Sequence, residues 1–247
     1  MSKLLNVSSS PHVRCGVSTK NLMYDVAIAM LPATIWGVMQ FGIYSLIVVV
    51  ATVLSCVLSE YLFETLMHKP VTISDGSALV TGMILGLNMP PAIPLWMPIL
   101  GGVFAIIVVK QLYGGLGQNW MNPALAARCF MLISFAQAMT QFSEPGTDAI
   151  ASATPLAEIK AGGTYDLAAM FIGKIPGTIG EVSVIALLIG AAYLLVKKVI
   201  TIRIPAAYIL SFAVFAFIFG QHNINYVLAE VCGGGLIFGA FFMATDY

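Results

Sequence analysis

Long apolar runs separated by short polar turns make up most of this chain. Seven runs have about the 20 residues that a helix needs to cross a bilayer, at 24–41, 43–66, 94–110, 121–141, 180–196, 203–219 and 226–244. An eighth run, 75–91, is shorter and rich in Gly, Ser and Thr, and it either crosses the bilayer or re-enters from one side. The pattern predicts an all-α polytopic membrane protein with about eight transmembrane segments, some of them interrupted helices.

Composition agrees with this fold class. Of the 247 residues, 59% are hydrophobic and 9% are charged, whereas a soluble domain has about 25% charged residues. Eleven basic and eleven acidic residues give a net charge of zero, so no basic face argues for nucleic acid as a partner. The expected partners are the lipid bilayer and other protein subunits.

The positions of Lys and Arg predict the orientation of the chain. With eight spans, eight basic residues fall on the N-terminal side, Lys160 and Lys174 fall on the other side, and Arg128 lies inside a span. Cytoplasmic loops carry an excess of Lys and Arg. The N-terminus is therefore predicted to be cytoplasmic, and the loop of residues 142–179 is predicted to be extracytoplasmic.

That loop contains the polar stretch "DAIASATPLAEIK", residues 148–160. Thr154 followed by Pro155 is typical of a helix N-cap with proline at the first helical position. A helix N-terminus also suits a phosphate group, because its amides are unpaired and its dipole end is positive. The stretch is either a simple capped helix or the site of a phosphate ester on Thr154.

A second polar stretch, residues 110–129, connects two spans on the side predicted to be cytoplasmic. Gly115 is one of three glycines that permit positive φ and close approach of a ligand to the backbone. Asn119 and Asn122 are three residues apart, so their amides either bind one ligand or serve as helix cap and turn residues. Arg128 lies inside a span, where ionisable residues are functional candidates. It either pairs with a buried carboxylate or extends to the membrane boundary.

The sequence contains no arrangement of residues typical of catalysis or of metal binding. The four cysteines are scattered singly without a CxxC pair, and the three histidines lie far apart in the chain. Neither pattern provides the spacing of metal ligands or a nucleophile with its base. We therefore predict no catalytic residue and no metal site on this chain.

Three stretches carry a resemblance to a known family: "SDGSALVTGMILGLNMPP", "KQLYGGLGQNWMNPA" and "GGGLIFGAFFMATD", at 74–91, 110–124 and 233–246. In this order they resemble the RnfD/NqrB family of membrane subunits. These subunits belong to the Rnf ferredoxin:NAD oxidoreductase and to the sodium-pumping NADH:quinone oxidoreductase. The opening "NVSSSPHV" is also similar to RnfD.

The resemblance implies covalent FMN, joined by a phosphoester to the threonine of a D-x-x-(S/T)-G-A-T motif. In this chain Asp148 fills the acidic position, Ala153 the alanine position and Thr154 the acceptor position. Ala151 and Ser152 depart from the preferred Ser/Thr and Gly, although both remain small. The family's flavin transferase acts outside the cytoplasm, which is the side predicted for this loop from charge.

The resemblance further implies a non-covalent riboflavin at the glycine-rich turn. Asn119 and Asn122 are the candidates for binding it, together with Gly115 and Arg128. On this interpretation the cofactors are covalent FMN and riboflavin.

The family also suggests an inverted repeat of five plus five spans. The first repeat would cover residues 22–141, followed by the extracytoplasmic loop 142–179 and a partial second repeat at 180–247. The family usually has two further spans, so we expect the second repeat to be truncated in this sequence.

The expected function is that of a multi-pass subunit in the prokaryotic inner membrane. It would relay electrons through flavin between ferredoxin and NAD, coupled to Na⁺ or H⁺ translocation. Its partners would be other membrane and peripheral subunits and a flavin transferase, and no complete active site would lie on this chain. The alternatives are a solute or ion channel or transporter of similar fold without redox activity, and a structural scaffold.

The predicted topology can be tested by cysteine labelling. Single cysteines at Ser143 or Gly163 in a cysteine-free background should react with a membrane-impermeant reagent in intact cells, because the charge distribution places this loop outside. A single cysteine at Lys69 is the control and should react only in inverted vesicles. Reaction of the loop positions in inverted vesicles alone would contradict the topology.

Overall fold

Helices form almost all of the structure. The computed structural model describes residues 18–143, 150–151, 156, 166–220 and 223–245. The α-helices are α1 Thr19–Phe41, α2 Ile43–Leu66, α3 Ser77–Leu87, α4 Trp96–Val103, α5 Pro123–Ser134, α6 Ala136–Met139, α7 Leu167–Ile172, α8 Val184–Val196, α9 Arg203–Phe219, α10 Ile224–Cys232 and α11 Leu236–Phe238. The fold-class prediction is confirmed.

Shorter elements complete the fold. The π-helices Phe104–Gln111 and Gly239–Met243 continue α4 and α11. A 3₁₀ turn at Ile73–Asp75 precedes α3. The strands β1 (Phe142–Ser143) and β2 (Ile150–Ala151) pair antiparallel, with Phe142 opposite Ala151.

Each of the eight apolar runs contains helix, but the helices differ in length. Among the described residues, α1 and α2 are the two single helices long and apolar enough to cross a membrane. A third candidate span is broken: α10 and the continuous stretch Leu236–Met243 are together long and apolar enough to cross, but the two parts are bent by 67°. The other runs contain shorter apolar helices. The chain is thus a multi-pass membrane protein with interrupted helices.

Helix α3 does not cross the bilayer by itself. Its 11 residues extend for about 16 Å at 1.5 Å per residue, whereas the hydrocarbon core is about 30 Å thick. The chain beyond Leu87 contains Pro90, Pro91 and Pro94, which cannot continue a helix. Glycine allows α3 to pack closely on α2, because a Cβ added at Gly82 would lie 2.7 Å from the Cα of Val53.

A second irregular segment, residues 173–183, enters the interior and pairs with the chain that follows α3. The amide of Ile179 donates to the carbonyl of Met89 at 3.1 Å, and the amide of Gly180 donates to the carbonyl of Leu87 at 2.8 Å. Irregular backbone inside a membrane protein requires such partners, because lipid supplies none. Part of the segment expected to form the loop of residues 142–179 therefore lies in the protein core, where Ile179 is fully buried.

Helix α1 holds these parts together through close backbone contacts. A Cβ added at Gly37 of α1 would lie 2.3 Å from the carbonyl oxygen of Ile179. A Cβ added at Gly190 of α8 would lie 2.1 Å from the carbonyl oxygen of Ala29 in α1. Small residues at helix contacts are a general feature of membrane proteins, because they let backbones approach.

Candidate functional site

Arg128 forms the centre of a charged cluster inside the fold. Its Nη1 donates to Oδ1 of Asn88 and, at 2.6 Å, to Oε1 of Glu181. The Arg128 side chain is 31% exposed and that of Glu181 is 11% exposed. Arg128 therefore pairs with a carboxylate, one of the two possibilities that the sequence left open.

The cluster lies where three interrupted segments meet. Asn88 directly follows α3, and Glu181 belongs to the irregular segment before α8. Gly235 lies in the break between α10 and α11, and a Cβ added there would be 2.4 Å from Oε1 of Glu181. The ion pair therefore connects α5 to irregular backbone from both halves of the chain.

The glycine-rich turn between α4 and α5 depends on positive φ angles. Gly114, Gly115 and Gly117 have φ of 122°, 102° and 78°, values that glycine adopts without steric cost. The amide of Gly115 donates to the carbonyl of Lys110 at 3.1 Å, which closes the end of the π-helix. In this geometry the Gly115 amide is already used within the protein.

The structure distinguishes the two asparagines of this turn. Oδ1 of Asn122 accepts from the amides of Ala124 and Leu125 at 3.0 and 3.2 Å, so Asn122 is the N-cap of α5 with Pro123 after it. Oδ1 of Asn119, by contrast, is buried and has no hydrogen-bond partner within the part of the chain that the structure describes. A buried acceptor without a hydrogen bond lowers the stability of the folded protein by about 1–3 kcal/mol. The site therefore favours a ligand that donates a hydrogen bond to this oxygen.

Both asparagines line a small cavity of about 20 Å³ between the turn, α1 and α3. Ser77 and Lys110 line the same cavity, whereas Arg128 does not. The unpaired Asn119 oxygen matches a ring N–H donor such as the one a flavin carries. The enclosed volume is space for about one water molecule, so only the edge of a ring would enter it.

A buried network that the sequence pattern did not predict lies beside this cavity. The side chain of Lys110 is only 2% exposed, and its Nζ donates to Oε1 of Glu60 at 2.5 Å. It also donates to Oγ of Ser77 at 2.6 Å. One feature of the sequence does indicate this network. Glu60 and Glu64 lie four residues apart in an apolar run, so they share one face of a membrane helix.

Thr154, Asp148 and Ala153, the residues of the predicted flavin motif, lie outside the described residues. Leu156, two positions after Thr154 in the sequence, is described. Its side chain lies against the break between α10 and α11, since a Cβ added at Gly234 would be 2.8 Å from Cδ1 of Leu156.

The sequence profile of the NQR2, RnfD, RnfE family matches residues 6–247. The chain belongs to this family. One relative is the D subunit of the Na(+)-translocating ferredoxin:NAD(+) oxidoreductase complex of Acetobacterium woodii, 47% identical, over 98% of this chain and 77% of that protein. Another is the D subunit of the proton-translocating ferredoxin:NAD(+) oxidoreductase complex of Clostridium ljungdahlii, 40% identical, over 98% of this chain and 78% of that protein. Both family members are thus named as subunits of ion-translocating oxidoreductase complexes.

The Arg128–Glu181 pair should contribute measurably to stability. In a double-mutant cycle of Arg128→Met and Glu181→Met, we expect a coupling free energy of about 0.5–3 kcal/mol, because each single change leaves a partly buried charge unpaired. The measurement is unfolding of the purified protein in mixed micelles.

The control for this cycle is the pair Lys197 and Asp25, whose charged atoms are 3.8 Å apart and whose side chains are 52% and 22% exposed. Exposed pairs contribute little, so its coupling should be smaller. Additive effects at Arg128 and Glu181 would show that the contact is energetically unimportant.

Proposed function

We propose that this chain is the D subunit of an ion-translocating ferredoxin:NAD oxidoreductase complex. The observation that carries this proposal is 47% identity to the Acetobacterium woodii protein over 98% of the chain. In such a complex its partners are further membrane and peripheral subunits. The relatives' names specify Na⁺ in one case and protons in the other, so either ion is compatible with this fold.

The second part of the proposal is that Thr154 carries covalent FMN. It is supported by the resemblance of residues 148–154 to the acceptor motif and by the charge distribution, which predicts an extracytoplasmic position for the loop. Bound FMN supplies one- and two-electron chemistry, while the protein supplies position and electrostatics. A flavin transferase is then a required partner.

The third part is that the turn at Asn119 contacts a riboflavin. It is supported by Oδ1 of Asn119, which is buried without a hydrogen-bond partner among the described residues and therefore needs a donor. Asn122 orients α5 through its cap, and Gly115 fixes the shape of the turn. Arg128 lies outside this cavity and is engaged by Asn88 and Glu181, so we assign it to holding the helices rather than to flavin.

A transporter without redox activity is the second candidate. The observation in its favour is the pair of interrupted segments, α3 and α10–α11, since interrupted helices form the substrate sites of many transporters. Covalently bound flavin distinguishes the two candidates.

The FMN proposal predicts the behaviour of Thr154 variants in cells that express the complex and its flavin transferase. Thr154→Ala should abolish the in-gel flavin fluorescence of the denatured subunit, because the hydroxyl that forms the ester is gone. Thr154→Ser should retain part of the label. Thr147→Ala and Thr164→Ala are the controls and should keep full fluorescence. Fluorescence in Thr154→Ala would place the acceptor elsewhere.

The riboflavin proposal predicts a loss specific to Asn119. Asn119→Leu should lower the amount of riboflavin released by acid extraction of the complex. A lost hydrogen bond of about 1–3 kcal/mol weakens the affinity for riboflavin by roughly 5- to 150-fold. Covalent FMN should be unchanged. Gln118→Leu, which removes an exposed amide from the same turn, is the control. Equal riboflavin in the two variants would leave Asn119 with a structural role alone.

A further inference from the structure

The turn between α8 and α9 carries a concentration of positive charge. Residues 182–229 contain no Asp or Glu, and their basic residues, Lys197, Lys198 and Arg203, all lie between positions 197 and 203. Cytoplasmic loops carry an excess of Lys and Arg, so the charge distribution predicts that this turn lies on the same side as the N-terminus. The turn is therefore a positively charged patch at the predicted cytoplasmic end of two helices.

One of the three positive charges is neutralised within the protein. Nζ of Lys197 lies 3.8 Å from Oδ1 of Asp25 on α1 and 5.7 Å from the centre of the Tyr193 ring. The Tyr193 hydroxyl donates to the same Asp25 oxygen at 2.7 Å. Among the described residues, Lys198 and Arg203 have no carboxylate partner, and both are exposed. Two charges of the turn are therefore available to a ligand.

Lys198 has a backbone conformation that favours glycine. Its φ is 57°, because α8 ends here in a Schellman motif. The amide of Lys198 donates to the carbonyl of Leu195 at 3.1 Å, and the amide of Val199 donates to the carbonyl of Leu194 at 3.0 Å. Positive φ is uncommon for residues other than glycine. The dipole of α8 favours a cation at this end, but Lys197 already provides one, so local structure does not account for a lysine at position 198.

Arg203 is also placed against the local preference of its helix. It is the first residue of α9, and the N-terminus is the positive end of a helix dipole, where a basic side chain is unfavourable. The first turn of α9 contains no acidic residue to offset this charge. An anion bound between Arg203 and Lys198 would compensate both charges.

The turn holds these two residues in a fixed place. Val199 and Ile200, which lie between them in the sequence, are 3% and 7% exposed and belong to the main hydrophobic core. A turn that is anchored in this way loses little conformational freedom when a ligand binds, and such preorganisation favours affinity.

The surface of α9 beside these charges is apolar and largely uncovered. Every residue of α9 is described, and Pro205 is the only one that is buried. Ile204, Tyr208, Val214 and Phe215 are among its exposed side chains. The 17 residues of α9 extend for about 25 Å at 1.5 Å per residue. An apolar surface of this length that begins at two positive charges matches a phospholipid, with acyl chains along the helix and phosphate at the membrane boundary.

We propose that Lys198 and Arg203 bind the phosphate of an anionic phospholipid in the leaflet predicted to be cytoplasmic, with its acyl chains against α9. The lysine ammonium acts as a point charge, and the guanidinium donates paired hydrogen bonds to the phosphate oxygens. Phosphatidylcholine gains less from the two cations, because its headgroup carries its own positive charge. The site lies on the outer surface of the fold and does not depend on a flavin at Thr154 or Asn119.

The test is a lipid titration of the complex that contains the full chain. The complex is purified in detergent and titrated with phosphatidylglycerol or phosphatidylcholine, and the bound lipids are counted by native mass spectrometry. The wild type should retain one phosphatidylglycerol more than the double variant Lys198→Gly, Arg203→Gln. A basic residue near a membrane surface contributes roughly fivefold in affinity for anionic lipid, so the double variant should bind phosphatidylglycerol roughly 25-fold more weakly. Binding of phosphatidylcholine should not change.

Further variants separate loss of the site from misfolding. Lys198→Gly should unfold at the same temperature as the wild type or higher, because glycine adopts positive φ without steric cost. Lys198→Arg should keep the lipid, because it retains the charge. His68→Gly is the matched control: His68 has a φ of 52° in a motif of the same type at the end of α2, and this variant should bind phosphatidylglycerol as the wild type does.

Two results would overturn the proposal. One is equal binding of phosphatidylglycerol by the wild type and the double variant. The other is loss of another subunit from the double variant while its bound lipid is unchanged, which would make an acidic protein surface the occupant. Because the readout is bound lipid, a failure here is distinguishable from failure of the flavin proposals.

Discussion

The backbone pairing between residues 87–89 and 179–180 is the constraint on which the interior depends. Polar main-chain groups inside a membrane require partners, and an interrupted helix cannot supply its own. The chain after α3 and the chain before α8 satisfy this need for each other, with amide–carbonyl distances of 2.8 and 3.1 Å. Each interruption is tolerated because the other one is present.

This pairing also fixes the position of the charged cluster. Asn88 lies within one paired segment, and Glu181 directly follows Gly180 in the other. The Arg128 guanidinium of α5 then finds two acceptors in a fixed arrangement, and Gly235 leaves room for the Glu181 carboxylate at the break between α10 and α11. Backbone pairing and the ion pair therefore support one another.

Arg128 and Lys110 both pair with a glutamate, but their environments differ. Arg128 is partly exposed and faces one carboxylate, so its pair is close to neutral. Lys110 is almost fully buried, and it donates to the carboxylate of Glu60 and to the hydroxyl of Ser77. The first arrangement is suited to holding segments together.

The sequence determined the features that arise from neighbouring residues. The apolar runs predicted the helical segments, since helix formation and membrane insertion are properties of continuous stretches. Asn122 before Pro123 predicted a cap, and the three glycines predicted a turn, since these depend on local geometry. The resemblance of three motifs pointed to the family that the comparisons establish, whereas the role of Thr154 stays a prediction from its motif.

Tertiary structure alone decided which distant residues meet. Glu181 pairs with Arg128 across 53 positions of sequence, and Glu60 pairs with Lys110 across 50. Local periodicity contains no information on such contacts, which follow from how the helices pack. Packing also decided where α3 ends, and that Oδ1 of Asn122 caps α5 while Oδ1 of Asn119 has no hydrogen-bond partner among the described residues. The identical side chains differ because only one of them has helix amides within reach.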